Sequence, residues 1–127
     1  MCGSGRHGTV ESVAGGNAIK RAAKELGYST FDARDVFAQA ADNVSWAVAI
    51  VDESAHSIAE LCANLTTTLG LDAVAIGGSI GMAEGYLERI QEHSNRLPPI
   101  FHTRLTRASL GDDGPLLGGL LTTMIGV

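Results

Sequence analysis

The amino-acid sequence predicts an α/β fold that is rich in helix and has few strands. Apolar side chains recur every three or four residues over long stretches, which is the spacing of helices that bury one side. Only two short stretches are typical of strands: an apolar run at residues 71–76 and an alternating segment at residues 100–105. Two strands are too few for a self-sufficient sheet, so we expect them to belong to a larger lobe that contains a sheet.

The first two helices are predicted from their ends and their apolar positions. The first runs from about Ser12 to Leu26 and ends at Gly27, because glycine commonly follows the last helical residue. Ser29 or Thr30 is expected to cap the second helix, which has Asp32 near its start. The buried sides are predicted to contain Val13, Ile19, Ala22, Ala23 and Leu26 in the first helix, and Val36, Phe37 and Ala40 in the second.

The third helix has the strongest periodic pattern in the chain. It opens at Asp42 or Asn43 and is closed by Gly70. Its apolar residues follow one another at spacings of three and four, which predicts about seven turns of continuous helix with one buried side. These residues are Val44, Val48, Val51, Ala55, Ile58, Cys62, Leu65 and Leu69.

The second half of the chain alternates strand and helix. Pro98 and Pro99 break the helix that follows the first strand, and a proline is well placed in the first turn of the last helix. We expect a buried strand at 71–76, a turn at 77–81 and a helix at 83–95 whose inward side carries Tyr86, Leu87 and Ile90. A strand at 100–105, a loop at 111–115 and a helix from Pro115 or Leu116 are expected to follow.

Composition narrows the class of protein. With 127 residues, 45% hydrophobic and 18% charged, the chain has material for one ordered domain or part of one. A net charge of −5 argues against a nucleic-acid partner. No run approaches the roughly 20 apolar residues of a membrane span, and the N-terminus has no apolar segment of a signal peptide. We therefore expect a cytoplasmic protein with Cys2 and Cys62 reduced.

Residues 2–11 are the most informative segment. Taken alone, they form a flexible turn leading to Glu11 at a helix start, where a carboxylate stabilises the helix dipole. Together with the Gly-Gly-Asn-Ala-Ile step at 15–19, they resemble the Cys-x-Cys-Gly-x-x-Gly-Cys-x-Glu signature of ROK-family sugar kinases. Cys2, Gly5, Gly8 and Glu11 match this signature, whereas Ser4 and Thr9 replace its second and third cysteines.

The resemblance continues to the end of the chain. Residues 75–87 are similar to the family's Gly-Gly-Ser-x-Gly segment, in the version found in the branch that acts on N-acetylmannosamine. Residues 113–119 are similar to its closing segment. The match corresponds to roughly the last two fifths of a family kinase. The match implies that residues 1–127 are part of the C-terminal lobe of an actin-like ATPase (ribonuclease H-like) fold and that the N-terminal lobe is absent.

Site residues follow from the resemblance and from local geometry. The family match implies that Glu11 hydrogen-bonds sugar hydroxyls and that Gly77 and Gly78 contact the adenosine of ATP. On its own terms, a strand that ends in two glycines lets a ligand lie against bare backbone, although a tight turn needing positive φ is the alternative. The family's phosphate loop and its base aspartate lie upstream, so no catalytic residue is expected here and ATP with Mg²⁺ belongs to the parent enzyme.

Other candidate groups are given structural roles. The family's structural zinc site takes three cysteines and a histidine, and because only Cys2 remains of them we expect no zinc. His56 is placed beside the apolar stripe, His93 on the surface and His102 in the second strand. Trp46 is expected in the core or an interface.

The resemblance implies the C-terminal part of an ATP-dependent kinase that phosphorylates the 6-hydroxyl of N-acetylmannosamine in amino-sugar catabolism. This part alone is expected to be inactive and to form a homodimer, with no nucleic-acid or membrane partner. The alternative is the effector-binding lobe of a ROK-family sugar-responsive repressor, and a third reading is a dimerisation module only. The segment at 81–87 favours the kinase.

Overall fold

A computed structural model of the chain describes residues 1–110 and 113–125. Its elements alternate much as the sequence predicts, with helices dominating. The bounds are α1 Glu11–Ala14, α2 Gly16–Glu25, α3 Ala33–Ala41, α4 Ser45–Leu69, β1 Ala73–Ile76, α5 Gly78–Gly81, α6 Tyr86–Asn95, a 3₁₀ turn Pro99–Phe101, β2 Arg104–Arg107 and α7 Gly114–Ile125.

The first predicted helix is two helices. Gly15 is extended (φ −73°, ψ 155°) and separates α1 from α2. A Cβ at Gly15 would lie 2.8 Å from the carbonyl oxygen of Glu11, so the glycine permits a close approach that the periodic pattern does not reveal. At the other end, Gly27 has a φ of +96°, which confirms it as the residue that ends the helix.

The second helix is capped by Asp32 and not by Ser29 or Thr30. An Asp32 carboxylate oxygen accepts hydrogen bonds from the backbone N–H of Arg34 (2.8 Å) and of Asp35 (3.0 Å). The Asp35 carboxylate accepts in return from the backbone N–H of Asp32 at 2.8 Å, which completes a capping box. The hydrogen bonds donated by the backbone N–H groups of Asp35 and Arg34 hold the pKa of the Asp32 carboxyl below its ordinary value.

The long helix α4 forms the centre of the core. It starts at Ser45, after Asn43 in the left-handed region (φ 59°), so neither Asp42 nor Asn43 caps it. Gly70 ends it with a φ of +67°, as predicted. Val51, Ala55 and Cys62 are buried, but Leu65 and Leu69 are 37% and 64% exposed. The stripe is therefore covered only as far as Cys62 among the described residues.

Helix α6 closes the core against α4. Tyr86 and Ile90 are buried, and the Tyr86 hydroxyl lies 2.6 Å from the hydroxyl of fully buried Ser54. The Tyr86 ring meets Phe37 edge to face, with centroids 5.3 Å apart. α6 begins at Tyr86 and not at residue 83, because Gly85 has a φ of +74°.

The prediction that His93 is exposed is wrong. Its side chain is buried between α4 and α6, and its Nε2 lies 2.9 Å from an oxygen of Asp52. His102 lies before β2 instead of within it. Trp46 stacks on Tyr28 at 4.1 Å between centroids and is half-buried, consistent with its predicted role in packing.

The two strands form a parallel pair with register from Ala73–Arg104 to Ile76–Arg107. β1 is half-buried and not buried as predicted. The second strand lies later than predicted, because residues 99–101 form a 3₁₀ turn. α7 begins at Gly114, earlier than predicted, and part of the predicted loop lies outside the described residues. In the part of the chain that the structure describes, no helix is both long and apolar enough to cross a membrane.

Candidate functional site

Two clefts of about 470 Å³ each lie on either side of the contact between α2 and α5. A Cβ at Gly16 would be 3.6 Å from the Cδ1 atom of Ile80, so the two elements pack closely here. Ile80 lines both clefts. The two segments that the sequence singles out, residues 2–11 and 75–81, therefore meet near one place in the fold.

The apolar cleft is the open space between α1, α4 and β1. It brings together Glu11 and Gly77, two of the three predicted site residues. Glu11 is the one carboxylate among the residues that line it, and its side chain is exposed at the start of α1. The lining residues are Val10, Glu11, Ala14, Gly15, Ile58, Leu61, Cys62, Leu65, Val74, Ala75, Ile76, Gly77, Ile80, Gly81 and Tyr86.

The polar cleft lies on the other side of Ile80, between the N-terminal ends of α2 and α3 and the helix α5. It carries two cationic side chains and several hydrogen-bonding ones over an apolar floor. These lining residues are Gly16, Asn17, Lys20, Asp32, Ala33, Arg34, Phe37, Ser79, Ile80 and Ala83. Lys20 and Arg34 outnumber the one carboxylate of the lining, Asp32, so the charge of the cleft favours an anionic ligand, and Phe37 offers that ligand an apolar surface.

Gly77 and Gly78 are each required to be glycine for a different structural reason. Gly78 has a φ of +77° with open space where a Cβ would be, so the turn itself requires positive φ. Gly77 is extended, and a Cβ there would lie 3.1 Å from the Cβ of Ala108. Gly77 lines the apolar cleft, whereas Gly78 lines neither cleft and is followed by Ser79 of the polar cleft.

Lys20, Asn17 and Arg34 were missed by reasoning from the sequence. Asn17 and Lys20 are three residues apart and so share one face of α2. That spacing, directly after Gly15 and Gly16, is the sequence feature that could have identified them as residues of one site. Arg34 comes into the cleft only through the packing of α3, which no local pattern indicates.

The N-terminal turn positions Cys2. The backbone N–H of Cys2 donates to the carbonyl of Arg6 at 2.8 Å, and the Cys2 thiol lies 2.9 Å from the hydroxyl of Ser4. Hydrogen bonds with the side chain of Ser4, and to a smaller extent with that of Thr9, lower the pKa of Cys2 to about 7. Within the described residues there is no group of three or more His, Cys, Asp or Glu side chains that could hold a metal ion.

Alkylation of Cys2 by iodoacetamide is expected to reach half its maximal rate near pH 7, because the reactive thiolate forms as the pH rises through the lowered pKa. Cys62 serves as the internal control, since burial raises the pKa of its thiol and slows its reaction. Mass spectrometry of each peptide measures both rates, and Ser4→Ala should move the Cys2 midpoint upward. A midpoint near the ordinary value of 9.0, or one that Ser4→Ala leaves unchanged, contradicts this prediction.

Comparison with known sequences covers nearly the whole chain. The sequence profile of the ROK family matches residues 1–123. N-acetylmannosamine kinase from Vibrio cholerae serotype O1 (strain O395) is 42% identical over 118 residues, which cover 93% of this chain and 41% of that protein. The N-acetylmannosamine kinase of Haemophilus influenzae (strain PittEE) is 37% identical over 118 residues, covering 93% and 39%. The chain thus spans about two fifths of the length of the curated relatives it matches.

A solved structure shows the same fold. The crystal structure of a ROK hexokinase from Thermus thermophilus matches 96% of this chain and 42% of that chain, with a TM-score of 0.82 and 30% identity. The chain therefore has the helix-rich α/β architecture of part of an actin-like ATPase fold, and the predicted fold class is confirmed.

Proposed function

The chain belongs to the ROK family, and from that premise we propose that it is the C-terminal part of a sugar kinase that phosphorylates the 6-hydroxyl of N-acetylmannosamine. The observation that carries the proposal is that Glu11 and Gly77 line one cleft, and that the neighbouring cleft is lined by the cationic side chains of Lys20 and Arg34. Relatives at 37% and 42% identity are named N-acetylmannosamine kinases, which supports the choice of sugar. In this proposal the reaction belongs to amino-sugar and sialic acid catabolism in the cytoplasm.

The polar cleft supplies groups for the nucleotide. Lys20 and Arg34 can pair with phosphate oxygens, and Asn17 and Ser79 can hydrogen-bond to its polar edges. Phe37 offers an apolar surface for a base. Gly77 and Gly78 do not line the polar cleft, so we propose that they contact the adenosine at its edge, from the turn that leads to Ser79. ATP provides the phosphoryl group, and Mg²⁺ would be held mainly by phosphate oxygens, as it commonly is.

Glu11 supplies the proposed contact to the sugar. An exposed carboxylate at the rim of a cleft accepts hydrogen bonds from neighbouring hydroxyls, and charge-assisted bonds of this kind orient a sugar well. Phosphoryl transfer also requires a base on the attacking hydroxyl and a cradle for the γ-phosphate. We propose that the rest of the kinase, outside this chain, supplies both.

Nucleotide binding is the direct test of the polar cleft. Lys20→Gln is expected to weaken binding of a fluorescent ADP analogue about tenfold, because it removes one charge-assisted contact to phosphate. Lys24→Gln is the matched control, because it changes the net charge by the same amount. Lys24 is exposed on the same helix and does not line the cleft. A fluorescence titration measures both variants. Equal affinities for the two variants would place the nucleotide elsewhere.

We also propose that the chain self-associates through α7. Leu121 and Met124 are 58% and 78% exposed, and Leu116, Leu120 and Ile125 are exposed as well. Apolar surface of this extent drives association. Light scattering at micromolar concentration is expected to give at least twice the 13.2 kDa of one chain. Leu121→Lys should reduce the mass, whereas Leu26→Lys, at a similarly exposed leucine (56%), should not. A monomer in the unaltered protein would refute the proposal.

A further inference from the structure

Asp32 provides the one carboxylate among the residues that line the polar cleft, and the fold uses only part of it. Its Oδ1 atom accepts from the backbone N–H groups of Arg34 and Asp35, which caps α3. Its Oδ2 atom accepts no hydrogen bond from the residues that the structure describes. Because both oxygens of a carboxylate are acceptors, capping leaves Asp32 with acceptor capacity for a ligand.

The packing of the helices places this carboxylate at the cationic part of the cleft. The first residues of α2 and α3 lie close together, since a Cβ at Gly16 would be 3.9 Å from the Cβ of Ala33. Asp32 directly precedes Ala33, and its side chain is exposed. The backbone N–H of Asp35, and in smaller part the charge of Arg34, hold the pKa of Asp32 below its ordinary value. The carboxylate is therefore an anion at neutral pH.

A nucleotide in this cleft offers three chemically different parts, of which one suits Asp32. The phosphates are repelled by an anionic oxygen and pair instead with Lys20 and Arg34. The base is assigned to the apolar surface of Phe37. The ribose lies between the base and the phosphates in every nucleotide, and its two neighbouring hydroxyls are hydrogen-bond donors. Carboxylates bind ribose hydroxyls in this way in dinucleotide sites of other folds.

We infer that Asp32 is a specificity-determining residue of the polar cleft, whose free carboxylate oxygen accepts hydrogen bonds from the 2′- and 3′-hydroxyls of a bound ribonucleotide. The inference rests on the proposed function, because it takes the polar cleft as the nucleotide site. It adds selection for an intact ribose. Since the charge of Asp32 also repels phosphate, the residue favours only a nucleotide whose hydroxyls offset that repulsion.

Two nucleotides and one variant test the inference with the full 127-residue chain. NMR titrations measure the affinities of unlabelled ADP and of 2′,3′-dideoxy-ADP. The unaltered chain is expected to bind ADP about tenfold more tightly, because dideoxy-ADP lacks the charge-assisted hydrogen bonds. Asp32→Asn should weaken ADP binding about tenfold and should not weaken binding of dideoxy-ADP. Asparagine keeps the cap of α3, since its amide oxygen caps as well as a carboxylate does.

Asp35→Asn is the matched control. It removes the same charge from the first turn of α3 and keeps an oxygen that can accept from the backbone N–H of Asp32, and Asp35 does not line the cleft. This variant should bind ADP like the unaltered chain. Circular dichroism and thermal unfolding compare the folding of the two variants. Inosine diphosphate, which keeps the ribose and lacks the amino group of adenine, should respond to Asp32→Asn as ADP does.

Three results would overturn the inference and leave the nucleotide site in place. Equal affinities of the unaltered chain for ADP and dideoxy-ADP would do so without any variant. Tighter binding of ADP by Asp32→Asn would show that the carboxylate only repels phosphate. A loss in Asp32→Asn that ADP shows and inosine diphosphate does not would place the carboxylate at the base.

Failure of the proposed function has a different signature. ADP would then not bind at all, or Lys20→Gln and Lys24→Gln would have equal affinities, and the inference about Asp32 would be overturned with it.

Discussion

Incubated with N-acetylmannosamine and Mg-ATP, the 127-residue chain alone is expected to release no measurable ADP. The clefts offer contacts for a nucleotide and a carboxylate for a sugar, but Glu11 is proposed to orient the substrate and not to accept its proton. Absence of a general base typically costs about 10²–10⁴ in rate. Absence of a phosphate cradle removes positioning that is worth at least as much. If the two effects multiply, the combined loss is about 10⁴-fold or more, and ADP release is expected to fall below what the assay detects.

A coupled ADP-release assay measures this result, with a complete N-acetylmannosamine kinase as the positive control. Glu11→Ala is the informative variant. Residual turnover that is equal in Glu11→Ala and in the unaltered chain indicates a contaminating kinase. Turnover that persists through purification and disappears in Glu11→Ala would show that the chain is a minimal enzyme, and the assignment of this chain as part of a kinase would be wrong.

Replacing Tyr86 by alanine is expected to have the largest effect on folding. The side chain is 2% exposed, packs edge to face against Phe37 and reaches the buried hydroxyl of Ser54. Removing a buried aromatic ring typically costs about 3–5 kcal/mol, because it leaves a cavity as well as lost contacts. Small domains have roughly 5–15 kcal/mol of stability in total, so the variant should be mostly unfolded well below the melting temperature of the unaltered protein.

Tyr86→Phe is the matched control, because it keeps the ring and removes only the hydroxyl. The lost hydrogen bond to Ser54 should cost about 1–2 kcal/mol, since the Ser54 hydroxyl stays buried with one long contact of 3.5 Å to the carbonyl of Ala14. Urea unfolding followed by circular dichroism measures both free energies. Equal losses for Tyr86→Ala and Tyr86→Phe would contradict the cavity argument and assign the effect to the hydrogen bond.

Helix ends were predictable where one residue type determines them. Gly27 and Gly70 end their helices with positive φ, which glycine adopts without strain. The cap of α3 was not predictable in the same way. Ser29, Thr30 and Asp32 can each accept from helix N–H groups. The reciprocal hydrogen bond, in which the Asp35 carboxylate accepts from the backbone N–H of Asp32, selects Asp32.

The candidate site was partly accessible from the sequence. Glu11, Gly77 and Gly78 were identified by their motifs, and the structure places Glu11 and Gly77 on one cleft. Their proposed roles stay predictions. Lys20 and Arg34 could not be identified, because a lysine and an arginine on separate helices look like ordinary surface residues until α2 and α3 pack side by side.

The sequence by itself determined the helix-rich class, the order of the elements and the family, because periodicity and motif spacing are properties of neighbouring residues. Only the tertiary structure decided which apolar positions are covered. Val51 and Leu65 belong to the same stripe on α4, yet Val51 is fully buried and Leu65 is 37% exposed. The physical reason is that a pattern specifies which side of a helix is apolar, whereas burial depends on another element lying against that side. α3 and α6 pack against α4, and the contacts of α6 reach Asp52 and Ser54 in its first half. Among the described residues, the last turns of α4 border the open cleft beside β1.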